Sequence, residues 1–246
     1  MQAVLSLLFL IYATLSTTAY ASSDPDLGLN NCTKTFIYQL FFNNIKIGQL
    51  SRSLRWKNNH ATILSSSKIN VLATKTLFKQ QSMIYWSPEQ QSFVTKKFTR
   101  HVNGLITETT NATFTAEGKQ STVTTDNKKL SFTSTALPLL DIDAISSDIR
   151  LALIQGKKDF DYKLQGSDDV NHYYFKVIGK ETINSNFGKV TAFKVEQIRK
   201  KDRKLVMWFS PDIDYQLVKA TYKRNILDLK ATLLNKQIIC TVALNL

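Results

Sequence analysis

Side chains that build metal and nucleophile sites are scarce in this chain. Three histidines, His60, His101 and His172, are scattered through turn-like and strand-like contexts. No H-E-x-x-H, G-x-S-x-G, C-x-x-C, P-loop or G-x-G-x-x-G spacing occurs. The signatures of the commonest hydrolases, redox proteins and nucleotide enzymes are therefore missing. Ser65–Lys68 spells S-x-x-K, a pattern that works only when a helix brings Ser and Lys together. Its neighbours are strand-like, and strand positions three apart face opposite sides. Two D-x-D pairs, Asp141/Asp143 and Asp212/Asp214, are weak sites for a hard cation that takes six to eight oxygens. Neither a cofactor nor a metal site is expected.

Long apolar runs are nearly as rare. One spans Ala3–Ala13, inside a 1–21 segment that has no charged side chain and ends Ala19-Tyr20-Ala21. An apolar stretch followed by A-x-A reads as a secretory signal cleaved between Ala21 and Ser22. A retained N-terminal anchor is the alternative, although the run is short of the roughly 20 residues a bilayer span needs. Bulky Asn30-Asn31 before Cys32 excludes lipoprotein processing. No transmembrane span is expected after residue 21, so the mature protein should be soluble in an exported compartment. Its two cysteines, Cys32 and Cys240, then read as one disulfide that brings the first and last strands together. Asn31 and Asn111 begin N-x-T triplets, which matter only in a eukaryotic secretory route.

Acidic residues are the minority, 19 against 32 Lys and Arg, for a net charge of +13. Such a balance attracts anionic partners. Because the cations are dispersed, solvated lysines on outward strand faces explain most of it. The densest run, Arg199–Lys204, looks like a hairpin tip. No nucleic-acid recognition motif accompanies the charge.

What the chain has in abundance is strand pattern. Aromatic, β-branched and Thr-rich runs follow one another from Lys34, separated by turn signals such as Asn43-Asn44 and Pro88. One segment breaks the rhythm. Ile142, Ile145, Ile149 and Ala152/Leu153 recur at helical spacing, predicting a buried helix over about 142–155. Asp141 or Asp143 can cap its start, with Asp143 expected to do so, and Gly156 stands at its end. The expected fold is mainly β, a single curved antiparallel sheet or barrel of about a dozen strands with one buried helix. The organisation is 1–21 signal, 22–33 lead-in and 34–246 one β-rich domain.

The stretch Val206–Tyr222 reads as a hairpin, with Trp208 as a packing residue and Asp212 and Asp214 as turn-formers. Its W-F-S-P-D followed by L-V-K resembles the W-x-x-P-D…L-P-V-K hairpin of the bacterial exported family called domain of unknown function 3108. Two more stretches are similar to that family: Gly179, Glu181, Gly188, Ala192, Lys194 and Val195 in a preceding hairpin, and Asp143, Ser146 and Arg150 in the helix. Val218 stands where the family usually has Pro. The likeness runs in order from about Phe36 to Leu234. It implies a bacterial cell-envelope protein without an established activity, and together with the signal-like segment the expected address is the periplasm. The expected function is a non-enzymatic carrier or binding protein for an amphipathic, anionic envelope component such as a lipid. The alternatives are a structural partner-binding module, or an envelope hydrolase using Glu181 or Asp212/Asp214.

Overall fold

The computed structural model describes residues 32–240 apart from 58, 72–73 and 105–106. The expected signal, its Ala21–Ser22 cleavage point and Asn31 lie outside the described residues. Eight strands come first: β1 (Cys32–Phe42), β2 (Ile45–Lys57), β3 (His60–Val71), β4 (Thr74–Ser87), β5 (Ser92–Asn103), β6 (Glu108–Thr115), β7 (Gln120–Thr125) and β8 (Lys129–Thr133). A two-residue β9 (Leu139–Leu140) leads into helix α1 (Ile142–Ile154). Then follow β10 (Asp159–Gln165), β11 (Val170–Ser185), β12 (Gly188–Ile198), β13 (Lys204–Ser210), β14 (Gln216–Arg224) and β15 (Leu227–Cys240). There are more strands than the dozen expected, partly because the unbroken β-pattern of Ala61–Phe78 divides between β3 and β4. The two residues of β9 are too few to register as a pattern.

All the strands share one sheet, ordered β8-β7-β6-β5-β4-β3-β2-β1-β15-β14-β13-β12-β11-β10-β9. Two meanders thus meet at a single pairing, β1 with β15, where Cys32 stands opposite Cys240. The expected disulfide joins them, with Cα atoms 3.9 Å apart. The sheet curls into a nearly closed barrel whose free edges are β8 and β9. Its gap therefore falls in mid-chain, while the first and last strands lie at the centre of the sheet. Among the described residues only β9 and β10 pair in parallel, and α1 is their crossover.

The helix begins where Asp141, in extended backbone, accepts a hydrogen bond from the Ala144 N–H. Asp143, the expected cap, lies inside the first turn, where the capping geometry is already past. At the other end Gly156 takes φ 71, the left-handed conformation that costs a glycine nothing. The N–H groups of Gly156 and Lys157 then bond back to Leu153 and Ala152, closing the helix as its sequence suggested. Ile145, Ile149 and Leu153 are buried, whereas Ile142 and Ile154 at the ends of the stripe are partly exposed.

α1 lies inside one end of the barrel. There its apolar face joins Trp56, Ile84, Trp86 and Phe93 from one meander with Tyr162, Phe175 and Phe209 from the other. Burying each such side chain contributes about 1.5–3 kcal/mol, so this end is a packed core. The opposite end, bearing the Asn43–Asn44, Arg199–Arg203 and Asn225–Ile226 turns, has no helix among the described residues.

Candidate functional site

Beyond the helix the barrel is hollow. Inward positions of β1–β4 carry Tyr38, Leu50, Arg52, Ser65 and Phe78; those of β13–β15 carry Leu205, Met207, Leu217 and Ala231. With Ile142, Ile145, Ser146 and Ile149 of α1 as a roof, they surround an open cavity of about 290 Å³. That is near the lower limit for small-molecule sites. A further space of about 180 Å³, lined by Leu40, Ile47, Ile69, Ala220 and Tyr222, shares Ala231 with the first. The two together extend the apolar interior from the helix toward the helix-free end.

Polar groups gather where roof meets wall. Arg52 donates from Nε to Asp143 Oδ1 at 3.0 Å and from Nη2 to the Asp143 carbonyl at 3.4 Å. Its Nη1 has no partner among the described residues. Gln80 Nε2 lies 2.9 Å from Asp143 Oδ2 and 3.2 Å from Asp141 Oδ2. The single Ser82 hydroxyl proton is shared between the same two carboxylates. Thr95 donates to Asp141 Oδ1 at 2.9 Å and accepts from the Asp141 N–H. Burial, and then the Asp143 charge, push the Asp141 carboxyl up to about 6. Tyr38 is pushed up to about 12 by burial, with the Arg52 charge pulling the other way. The phenol is therefore a neutral donor beside the guanidinium.

A second cavity, of about 430 Å³, opens on the other flank of the helix, between Gln90–Ser92, Leu137–Pro138 and Asp159–Tyr162. Asp148 points into this region with one oxygen accepting the Phe93 N–H at 2.7 Å. Burial drives its carboxyl up to about 8, against the pull of that hydrogen bond and of Lys157.

The residues singled out by sequence divide between cavity and hairpin. Asp143 and Ser146 line the cavity. Arg150 instead reaches the 3₁₀ turn Pro211–Ile213 that joins β13 to β14, bonding the Asp214 carbonyl and carboxylate. Lys34 meets the same carboxylate at 2.6 Å. Although burial pushes Asp214 upward, these two cations hold it below the usual carboxylate range. Asp212 Oδ2 accepts the Thr191 N–H at 3.0 Å. Glu181 accepts the indole N–H of the buried Trp208 and pairs with Lys194 at 3.5 Å. All three carboxylates offered for hydrolysis thus hold neighbouring strands or the helix. Gly179 sits at a bulge of β11, and Gly188 takes φ 91 where β12 leaves its turn. Ser65 faces inward and Lys68 outward, as strand geometry requires.

Tyr38, Arg52, Gln80, Ser82 and Asp148 were not singled out by sequence. A signal for two of them exists: Gln80 and Ser82 continue, as polar residues, the buried face that Ile84 and Trp86 mark on β4. Polar side chains in register with a core face point to a buried network.

A family model described as Protein of unknown function (DUF3108) matches residues 37–233. The chain belongs to this family. The DUF3108 match runs from β1 to β15 and so takes in the helix, the hollow and the β13–β14 hairpin. Among solved structures, the crystal structure of a β-barrel-like protein of domain of unknown function DUF1849 from Brucella abortus is similar. The two share 10% identity at a TM-score of 0.57, covering 86% of this chain and 100% of that one. At that identity the likeness speaks for the fold alone. No curated protein matches the chain. Among the described residues, no helix is long and apolar enough to cross a membrane.

Proposed function

We propose that this DUF3108 chain is an exported, periplasmic binding protein that holds an amphipathic molecule in the hollow beneath α1. One observation carries the reading: a mostly apolar space where, beside the helix roof, the strand wall presents a guanidinium and a phenol with donors the protein does not use. An apolar tail fits the walls, and an anionic or acceptor-rich head fits Arg52 and Tyr38. Below about pH 6, where Asp141 takes up a proton, less negative charge offsets the guanidinium of Arg52 and that of Arg100, which reaches the same network by donating to Gln80 Oε1 at 2.9 Å. Retention of an anionic head should therefore strengthen as pH falls through that value. The signal-like 1–21 segment supports export, and the disulfide is compatible with an oxidising compartment.

Native mass spectrometry after mild purification should find a co-purified amphiphile, and a fluorescent fatty-acid probe should bind saturably. Ala231 borders both spaces, so Ala231→Leu fills void without displacing neighbours and should leave stability within about 1 kcal/mol. The same change should lower probe affinity about tenfold or more. Absence of both a co-purified amphiphile and saturable probe uptake would remove the proposal.

A further inference from the structure

The helix-free end of the barrel breaks two folding rules in one place. The first concerns the turns. Asn43-Asn44, with φ 47 and 64, forms the two-residue turn that right-twisted strands prefer. Asn225 supplies φ 50 for the adjacent turn of β14–β15. Polar residues suit both positions that follow, yet Ile226 and Ile45 stand there, 85% and 68% exposed, with Leu227 beside them at 42%. The Asn43 N–H bonds the Asp228 carbonyl at 2.9 Å, so the two tips are in contact. β2 and β15 both flank β1, which puts these side chains about 10 Å apart laterally.

The second rule concerns charge. Lys204 and Lys223 stand directly opposite on β13 and β14, an arrangement that costs stability. Lys204 pairs with Glu196 at 3.2 Å, Lys223 with Asp228 at 2.9 Å and Arg224 with Asp202 at 3.3 Å. Lys46 and Lys201 have no acidic partner among the described residues, so cations predominate around the exposed isoleucines. Apolar tips ringed by cations at the mouth of an apolar hollow match the chemistry of a lipid surface with anionic headgroups.

We infer that this end docks on an anionic bilayer, with Ile45, Ile226 and Leu227 entering the headgroup–acyl boundary. Lys46, Lys201 and the Lys223–Arg224 pair contact phosphates around them. Docking by this rim does not require that the hollow be filled, so it stands or falls separately from the binding proposed above.

Vesicle flotation of the full mature chain tests it. Vesicles containing phosphatidylglycerol should carry the protein to the lipid layer, and phosphatidylcholine vesicles should carry much less. Ile226→Asp should weaken binding about tenfold or more, the loss of one buried side chain. Lys46→Ser should weaken it roughly fivefold on anionic vesicles only. Both changes lie at exposed positions; an unchanged circular dichroism melt confirms folding, and Ile226→Ser serves if the Asp variant melts early. Ala231→Leu should float like the parent, which separates docking from cavity binding. Flotation that ignores Ile226, or that salt abolishes equally for both Ile226 variants and the parent, reduces the effect to adsorption of a basic protein and overturns the inference. So does burial of this rim against a second copy or another protein in solution, visible as a larger species in which Ile226→Asp restores the monomer.

Discussion

Asp141 and Asp143 were legible as a pair, but their roles were not. Sequence places two acids at a helix start without saying which has the extended backbone a cap needs. The inward polar residues of β4 and β5, supplied from some sixty and forty-six positions away, decide the matter. Asp148 was illegible altogether, because an acid within a helical stripe reads as a solvated face until the barrel wall around it is known. It carries a specific pH signature. Its carboxyl sits near 8 when folded against an ordinary 3.8, so the native state binds the extra proton between these values. Stability is therefore fully present below about pH 4 and is lost as pH rises toward 8. Asp141 contributes in the same direction, but its share is complete by about 6. Between 6 and 8 the slope should belong mainly to Asp148. Asp148→Asn keeps the acceptor for the Phe93 N–H while removing the charge. Thermal melts should show the parent losing stability over that interval and the variant staying nearly flat. An equal slope in both would place the titrating group elsewhere.

Elements were read more securely than residues, since period is a property of many positions at once. The helix, its Gly156 end and the β13–β14 hairpin all follow from local pattern. What joins them does not. Arg150 on α1 and Lys34 on β1 both reach Asp214 beyond the 3₁₀ turn, and those contacts span 64 and 180 positions. Asp214 thus fixes the helix against the barrel wall, a role no turn propensity reveals. Asp214→Ala should cost about 2 kcal/mol, below the 3–5 kcal/mol of a fully buried pair because part of the carboxylate faces water. Arg150→Ala should cost a similar amount. The two losses should be clearly less than additive in a urea-denaturation double-mutant cycle, since either change removes the same link. Strict additivity would mean that the helix is held by packing alone. Val218, where the resemblance had led to Pro, is buried beside Ile213 and Trp208. It stands where the β13–β14 pairing shifts register between Trp208 and Phe209.

At the scale of the molecule, the disulfide holds a seam of unusual importance. Every antiparallel pairing except β1–β15 joins strands consecutive in sequence, and so forms with little loop to close. β1–β15 alone must bring together segments 208 positions apart. The contact was legible from sequence, because two cysteines in a chain read as exported have few other partners. That the barrel's gap would open at β8 and β9, where no cysteine stands, was not. A cross-link at one end of the seam removes loop-closure entropy from the unfolded chain, worth roughly 5 kcal/mol in the entropic model. For a domain of this size that corresponds to roughly 10–20 °C in melting temperature. Cys32→Ser/Cys240→Ser should melt lower by that order, and reductant should lower the parent to the same temperature without affecting the variant. Because the meanders retain their own sequential pairings, the loss should concentrate at the seam. Amides of β1 and β15 should exchange faster on reduction than those of β3–β5, whose ladders are local. Uniform acceleration through all strands would mean that the two meanders are one cooperative unit, which the bridge stabilises only through the unfolded state.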